Sequence, residues 1–206
     1  MHRKQRVKCV SMAKKKSVKK AVDNFLEALE EIERFFEGTE LLEEEFKNWC
    51  AEYSIIRLHT DFEILMLECL VAVINIDASK FSEISGYKFP KHMNEDLCTY
   101  LIVGTGYFDF KGREGLLQLA KKYGSSEHYL YKTLKEKKYK ETLEQIITLR
   151  NFSSHRSEKA KEAAVAATKT EKLKSAGSWL RTQKRFLELS KSLKKLARAL
   201  SRKAPF

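Results

Sequence analysis

Helix-breaking residues are scarce in this chain. Its 206 residues include only two prolines, Pro90 and Pro205, and eight glycines, whereas Lys, Glu, Leu and Ala are abundant. No segment shows the alternation at every second position that is typical of a half-buried strand. The sequence therefore predicts an all-α, antiparallel helical bundle with short irregular connectors around residues 84–112.

Metal-binding and membrane-spanning patterns are also missing. The four cysteines have neither CxxC spacing nor zinc-finger spacing to a histidine, so we expect no metal and no cofactor. Cys69 lies within an apolar run and is expected to be a core residue, which favours a reducing compartment. That run, residues 64–76, is the longest and contains Glu68 and Asn75, whereas a membrane helix needs about 20 apolar residues. No apolar signal segment follows the basic N-terminus, so we expect a cytoplasmic protein without membrane contact.

Acidic residues are outnumbered by basic ones. The formal net charge of +12 attracts phosphates, and nucleic acid is the commoner explanation for such an excess. Residues 1–17 are expected to be a basic, flexible arm that helps to hold RNA non-specifically. Between residues 169 and 203, twelve Lys and Arg side chains stand against two acids. Such runs are usually solvated, but this imbalance favours an RNA-binding face, with Lys184, Arg185, Lys191, Lys194 and Lys195 as its candidates.

Apolar residues at steps of three and four mark the helices of a single domain, residues 18–206. The helix that begins near Thr60 or Asp61 is apolar on most sides and is expected at the centre of the core. Gly177 is expected to break the chain before the last helix. The main predicted helices cover residues 18–38, 41–53, 60–76, 114–123 and 178–200.

The stretch TLRNFSSHRS joins two predicted helices and carries the residues best suited to chemistry. Arg150 follows the apolar stripe of the preceding helix, and a buried guanidinium needs a partner. Glu68, embedded in the most apolar run, is the predicted partner. His155 lies about 140° from Arg150 around one unbroken helix, so the two would not share a face. Ser154, with the serine before it, offers an N-cap at which the helix could end and restart, bringing His155 back.

The motif formed by Arg150, Asn151 and His155 resembles the Rx4–6H signature of HEPN domains, which are small helical bundles. With Glu68 upstream and a closing amphipathic helix, residues 55–200 resemble the RiboL-PSP type. The resemblance implies a metal-independent endoribonuclease that works as a symmetric homodimer. It implies a toxin or antiviral (abortive infection) effector, with an antitoxin or defence-system protein as a further partner. One toxin–antitoxin subgroup has a tyrosine, modified by its antidote, where this chain has Ser157.

The chemistry implied by the motif is modest. A histidine with an ordinary pKa near 6.5 can take a proton from the RNA 2′-OH or give one to the leaving 5′-oxygen. An arginine can bind phosphate oxygens, and an amide can orient either group. The expected catalytic residues are therefore Arg150, Asn151 and His155, supported by Glu68 and Ser154. The alternative is a HEPN-like module that binds RNA or a protein without cutting.

Overall fold

The computed structural model describes residues 15–205, and within this range it contains helices and no strands. The predicted all-helical fold is confirmed. The helices are α1 (Val18–Gly38), α2 (Glu44–Ile76), α3 (Ser79–Ser85), α4 (Glu95–Val103), α5 (Gly112–Gly124), α6 (Tyr129–Lys135), α7 (Lys137–His155), α8 (Glu158–Thr168), α9 (Ala176–Arg181) and α10 (Arg185–Lys203).

The central element is α2, whose 33 residues extend about 50 Å. Helices α1, α4, α5, α7 and α9 all pack against it, and α10 closes the bundle against α1, α6 and α7. Because α2 is covered on several sides, its second half is buried almost continuously, including the expected core residue Cys69. Burial raises the pKa of the Cys69 thiol to about 12.

The prediction of two separate helices between residues 41 and 76 was wrong. The segment from Glu44 to Ile76 contains no glycine or proline, and the expected capping residues lie inside one helix. The Thr60 hydroxyl donates to the Ile56 carbonyl at 3.1 Å, and Asp61 pairs with Arg57 at 2.8 Å. Both side chains are therefore engaged within the helix and do not cap a new one.

The end of the predicted basic arm, residues 1–17, is attached to the bundle. Residues 1–14 lie outside the described range, but Lys16 is tied to the bundle. Its backbone N–H donates to Asn75 Oδ1 at 2.6 Å, and its ammonium contacts Glu68 and Glu95. Ser17 then caps α1 by accepting from Lys20 N–H at 3.2 Å.

Two predicted segments contain more structure than expected. The connectors around residues 84–112 enclose α4, which Asn94 caps by accepting from Leu97 N–H at 2.8 Å. The last predicted helix is divided, because Gln183 and Lys184 adopt positive φ between α9 and α10. Gly177 lies inside α9 and not at a break, since its missing side chain lets α9 approach the backbone of Asn48 in α2.

Candidate active site

Helix α7 carries all three predicted catalytic residues. Its buried side chains, including Leu143, Ile146 and Leu149, fix its orientation against the core. The helix continues through His155 and ends at Arg156, which adopts a left-handed φ of 48°. The predicted break near Ser154 was therefore wrong, and the N-cap of α8 is Ser157, which accepts from Ala160 N–H. Ser154 is exposed in the last turn of α7.

A cleft of about 500 Å³ nevertheless brings the motif residues together. His155 and Asn151 lie one turn apart on the same face of α7, and Arg150 lies beside Asn151. The cleft is completed by the start of α8, by the connector before α5 and by one residue of α2. Its lining comprises Ile147, Thr148, Arg150, Asn151, His155, Ser157, Lys159, Ala160, Ala163, Asp109, Phe110, Lys111, Gly112 and His59.

The connector enters the cleft because of local backbone requirements. Asp109 Oδ1 accepts from Lys111 N–H at 2.8 Å, and Lys111 adopts a left-handed φ of 44° just before α5. Gly115 is required one turn later, because a side chain there would collide with the Phe110 carbonyl. This close crossing places Phe110 and Lys111 against α7.

Arg150 keeps most of its hydrogen-bonding capacity. Its Nη1 donates to Asn151 Oδ1 at 2.9 Å, and its buried Nε has no hydrogen-bond partner among the described residues. Within residues 15–205 it forms no ion pair with a carboxylate. A guanidinium carries five N–H donors, so this side chain can still bind an anion in the cleft.

The predicted pair between Glu68 and Arg150 was wrong. Glu68 Oε1 lies 3.0 Å from Lys16 Nζ, in a cluster with Glu95. The reason is the direction in which each side chain leaves α2. His59 faces the cleft, and Glu68, nine positions later, lies about 180° away around the helix axis, on the opposite side. Glu68 therefore supports the start of α1, not the motif.

His59 is the residue of the cleft that the sequence-based prediction missed. It is 4% exposed, and its ring lies 5.5 Å from that of Phe110. Its Nδ1 is 3.4 Å from Glu63 Oε2, without the geometry of a hydrogen bond. The sequence does contain a signal for His59, because it lies on the apolar stripe with Ile55 and Phe62. Burying a polar side chain in such a stripe costs free energy, which favours a partner or a function for it.

The predicted RNA-binding residues of α10 fall into different environments. Lys194 forms a 2.6 Å ion pair with Glu33, and Arg185 lies over the Trp179 ring at 4.7 Å. Both cations are therefore engaged inside the protein. Lys184 is exposed at the turn before α10, and Lys191 and Lys195 line a groove between α10 and α1. None of the five lines the cleft.

Residues 15–205 hold no cluster of three or more His, Cys, Asp and Glu side chains arranged for a metal ion. Over the same range, no helix has the length and hydropathy needed to cross a membrane. No protein-family model, curated protein or solved structure matches the chain.

Proposed function

We propose that the chain is a HEPN-like, metal-independent endoribonuclease that cleaves single-stranded regions of RNA at the cleft. The observation that supports this most is the meeting of Arg150, Asn151 and His155 in one cleft, with no carboxylate neutralising the arginine. A cation held in a recess by a neutral amide is suited to an anionic substrate, and Lys111 and Lys159 add two positive charges against the one negative charge of Asp109.

The proposed reaction is an internal transesterification. A neutral imidazole takes the proton of the RNA 2′-OH, and the 2′-oxygen forms a bond to the adjacent phosphorus. The bond from phosphorus to the 5′-oxygen breaks, and an imidazolium supplies the proton that this oxygen needs. Arg150 stabilises the added negative charge on the phosphate oxygens, with its guanidinium held by Asn151. The products are a 2′,3′-cyclic phosphate and a 5′-hydroxyl.

The reaction uses two proton-transfer groups, and the described chain offers two arrangements. In a symmetric homodimer, His155 of each protomer would serve one cleft. Within one chain, His59 and His155 already line the same cleft. We propose the homodimer as the active state, and the pH profile of His59→Gln would measure the contribution of His59.

Cleavage by chelator-treated protein tests the proposed function. We expect EDTA-treated wild type to convert mixed cellular RNA into fragments that end in 2′,3′-cyclic phosphate. His155→Ala should reduce the rate by about 10²–10⁴, the usual contribution of an acid–base group. The matched control is His92→Ala, which removes an exposed histidine from the connector before α4 and should cleave normally.

The outcomes separate the two candidate functions. Cleavage that disappears with EDTA, or that persists in His155→Ala, would contradict the proposal. RNA binding without cleavage by the wild type would favour the non-catalytic RNA-binding module instead. As the physiological role, we propose a toxin or antiviral effector, with an antitoxin or defence protein as its partner. Growth arrest on expression of wild type, but not of His155→Ala, is the expected result.

A further inference from the structure

A second concave surface lies between α1 and α10, away from the motif. This groove has a volume of about 820 Å³, and two residues at the start of α7 also line it. Its apolar wall consists of Val22 and Leu26 from α1 with Tyr139 from α7. Five cations line it against only two acids, Asp23 and Glu188. The cations are Lys138, Lys191, Lys195, Arg198 and Arg202.

Four of these cations form a row on one face of α10. Lys191, Lys195, Arg198 and Arg202 follow one another at steps of four, three and four, which is the spacing of a single helical face. The row extends about 16 Å along the helix axis. Such a row can contact several successive phosphates of one strand.

Three cations of the row are not neutralised. Lys195, Arg198 and Arg202 are exposed and form no ion pair with any described residue. By contrast, Lys194 on the neighbouring face is paired with Glu33 at 2.6 Å. The groove therefore carries positive charge that is not balanced by nearby acids. A bound polyanion would reduce the repulsion among Lys195, Arg198 and Arg202.

We propose that this groove, lined by Lys195, Arg198 and Arg202, binds the sugar–phosphate backbone of single-stranded RNA. The axes of packed helices lie about 8–10 Å apart, so the furrow between α1 and α10 admits one strand and not a duplex. A bilayer surface fits poorly, because the groove is concave and its apolar side chains, Val22 and Leu26, lie buried or half-buried in its wall.

The groove is distinct from the cleft. Tyr139 in the groove and His155 in the cleft lie at opposite ends of α7, about 24 Å apart along the axis and roughly 160° around it. RNA held in the groove is thus anchored away from the scissile bond. This inference deepens the proposed function, but binding in the groove is measurable without any cleavage.

The test uses full-length protein and a fluorescent 2′-O-methyl oligouridine, which lacks the nucleophile and cannot be cut. Anisotropy titrations would compare wild type with the triple variant Lys195→Ala/Arg198→Ala/Arg202→Ala. For single strands, log K falls with log salt by about 0.7 per phosphate contact, so three lost contacts should make the slope shallower by about 2. The ratio of wild-type to variant affinity should then fall about 20-fold between 50 and 200 mM salt.

Two controls make the result specific. The variant Lys88→Ala/Lys91→Ala/Lys121→Ala removes the same charge from exposed positions outside the groove, and it should bind nearly as wild type does. His155→Ala should bind normally even if it cannot cut, so failure of the groove and failure of the proposed reaction are distinguishable. Circular dichroism of both triple variants should match wild type.

The inference is overturned if the groove variant retains wild-type affinity and slope. It is also overturned if both triple variants lose affinity equally, because net charge would then explain the binding. A third contrary result is a groove variant that binds RNA as wild type does but no longer binds phosphatidylserine vesicles. The groove would then be a membrane contact.

Discussion

Glu68 shows how the phase of one helix decides the role of a side chain. Its partner is Lys16, and the two side chains are 28% and 21% exposed. A partly exposed pair contributes about 1 kcal/mol or less, whereas breaking a buried pair costs about 3–5 kcal/mol. We therefore expect Glu68→Gln to lower the free energy of unfolding by no more than about 1 kcal/mol. Urea denaturation measures this free energy. A loss above about 3 kcal/mol would contradict a partly exposed pair with Lys16 and would favour a buried pair with Arg150.

A substitution at His59 is the sharpest single-residue test of the cleft. If His59 is the second proton-transfer group, His59→Gln should convert a bell-shaped pH profile of kcat/KM into a profile with one limb. Binding of uncleavable RNA should stay unchanged, because the substitution removes a proton-transfer group and not a phosphate contact. His92→Gln is the control and should keep the bell. A bell that survives in His59→Gln would assign the second group to His155 of another protomer.

The motif residues could be predicted from the sequence because they lie close together in it. Arg150, Asn151 and His155 lie within six positions at the end of one helix, so a single cleft there can be lined by all three. The positions of His59 and Glu68 relative to the motif could not be predicted. The predicted helix start near Thr60 put the two residues in different segments, whereas both lie in α2. Without a continuous α2, the angle of about 180° between them has no meaning.

Among the elements, α6 has a cap that titrates. His128 Nδ1 accepts from Leu130 N–H at 3.2 Å, and burial lowers the pKa of His128 below its usual value. The unfolded chain therefore takes up this proton first as pH falls. Stability from the neutral cap is present above pH 6.5 and is lost progressively below it. His128→Asn keeps an acceptor that does not titrate, and it should lose less stability than wild type between pH 7 and pH 5 in thermal melts. Equal losses would contradict this role.

The contact between α9 and α2 depends on a missing side chain. A Cβ at Gly177 would collide with the Asn48 carbonyl, which is backbone and cannot rotate away. We expect Gly177→Ala to destabilise the protein by about 1–3 kcal/mol, as overpacking does. Gly38→Ala meets open space at the end of α1, so it should be neutral or stabilising by up to about 1 kcal/mol. Equal midpoints of urea unfolding for Gly177→Ala and Gly38→Ala would contradict this expectation and show that α9 can move away from α2 at little cost.

Helix boundaries were predictable where local signals were strong. The ends of α1 and α5 agree with the apolar spacing and the glycines that follow it. The division between α9 and α10 could not be predicted, because Gln183 and Lys184 adopt positive φ although neither is glycine or asparagine. The residues on either side, Trp179 and Phe186, are both buried, and such long-range packing is not visible in the local sequence.

For the whole molecule, the proposed homodimer is the prediction that matters most. Light scattering at concentrations at which RNA is cleaved should give twice the 24.0 kDa mass of one chain. His155→Ala should keep the same mass, because the loss of one imidazole per protomer removes little from an interface of ordinary size. A strictly monomeric and active protein would contradict the proposal and leave His59 as the second group.

The central position of α2 has a consequence for the newborn chain. The helix is complete at Ile76, but its covering helices end only at Arg181, and the cleft needs α8 as well. Ribosomes add about 5–20 residues per second, so the interval between these two points lasts roughly 5–20 s. During that time the nascent polypeptide presents an apolar helix that is covered only in part, by α1 at first and then by α4, α5 and α7, and such a helix is a ligand for chaperones. Until α8 has been added, the nascent chain cannot contain an assembled cleft, so it can aggregate before it can have any activity.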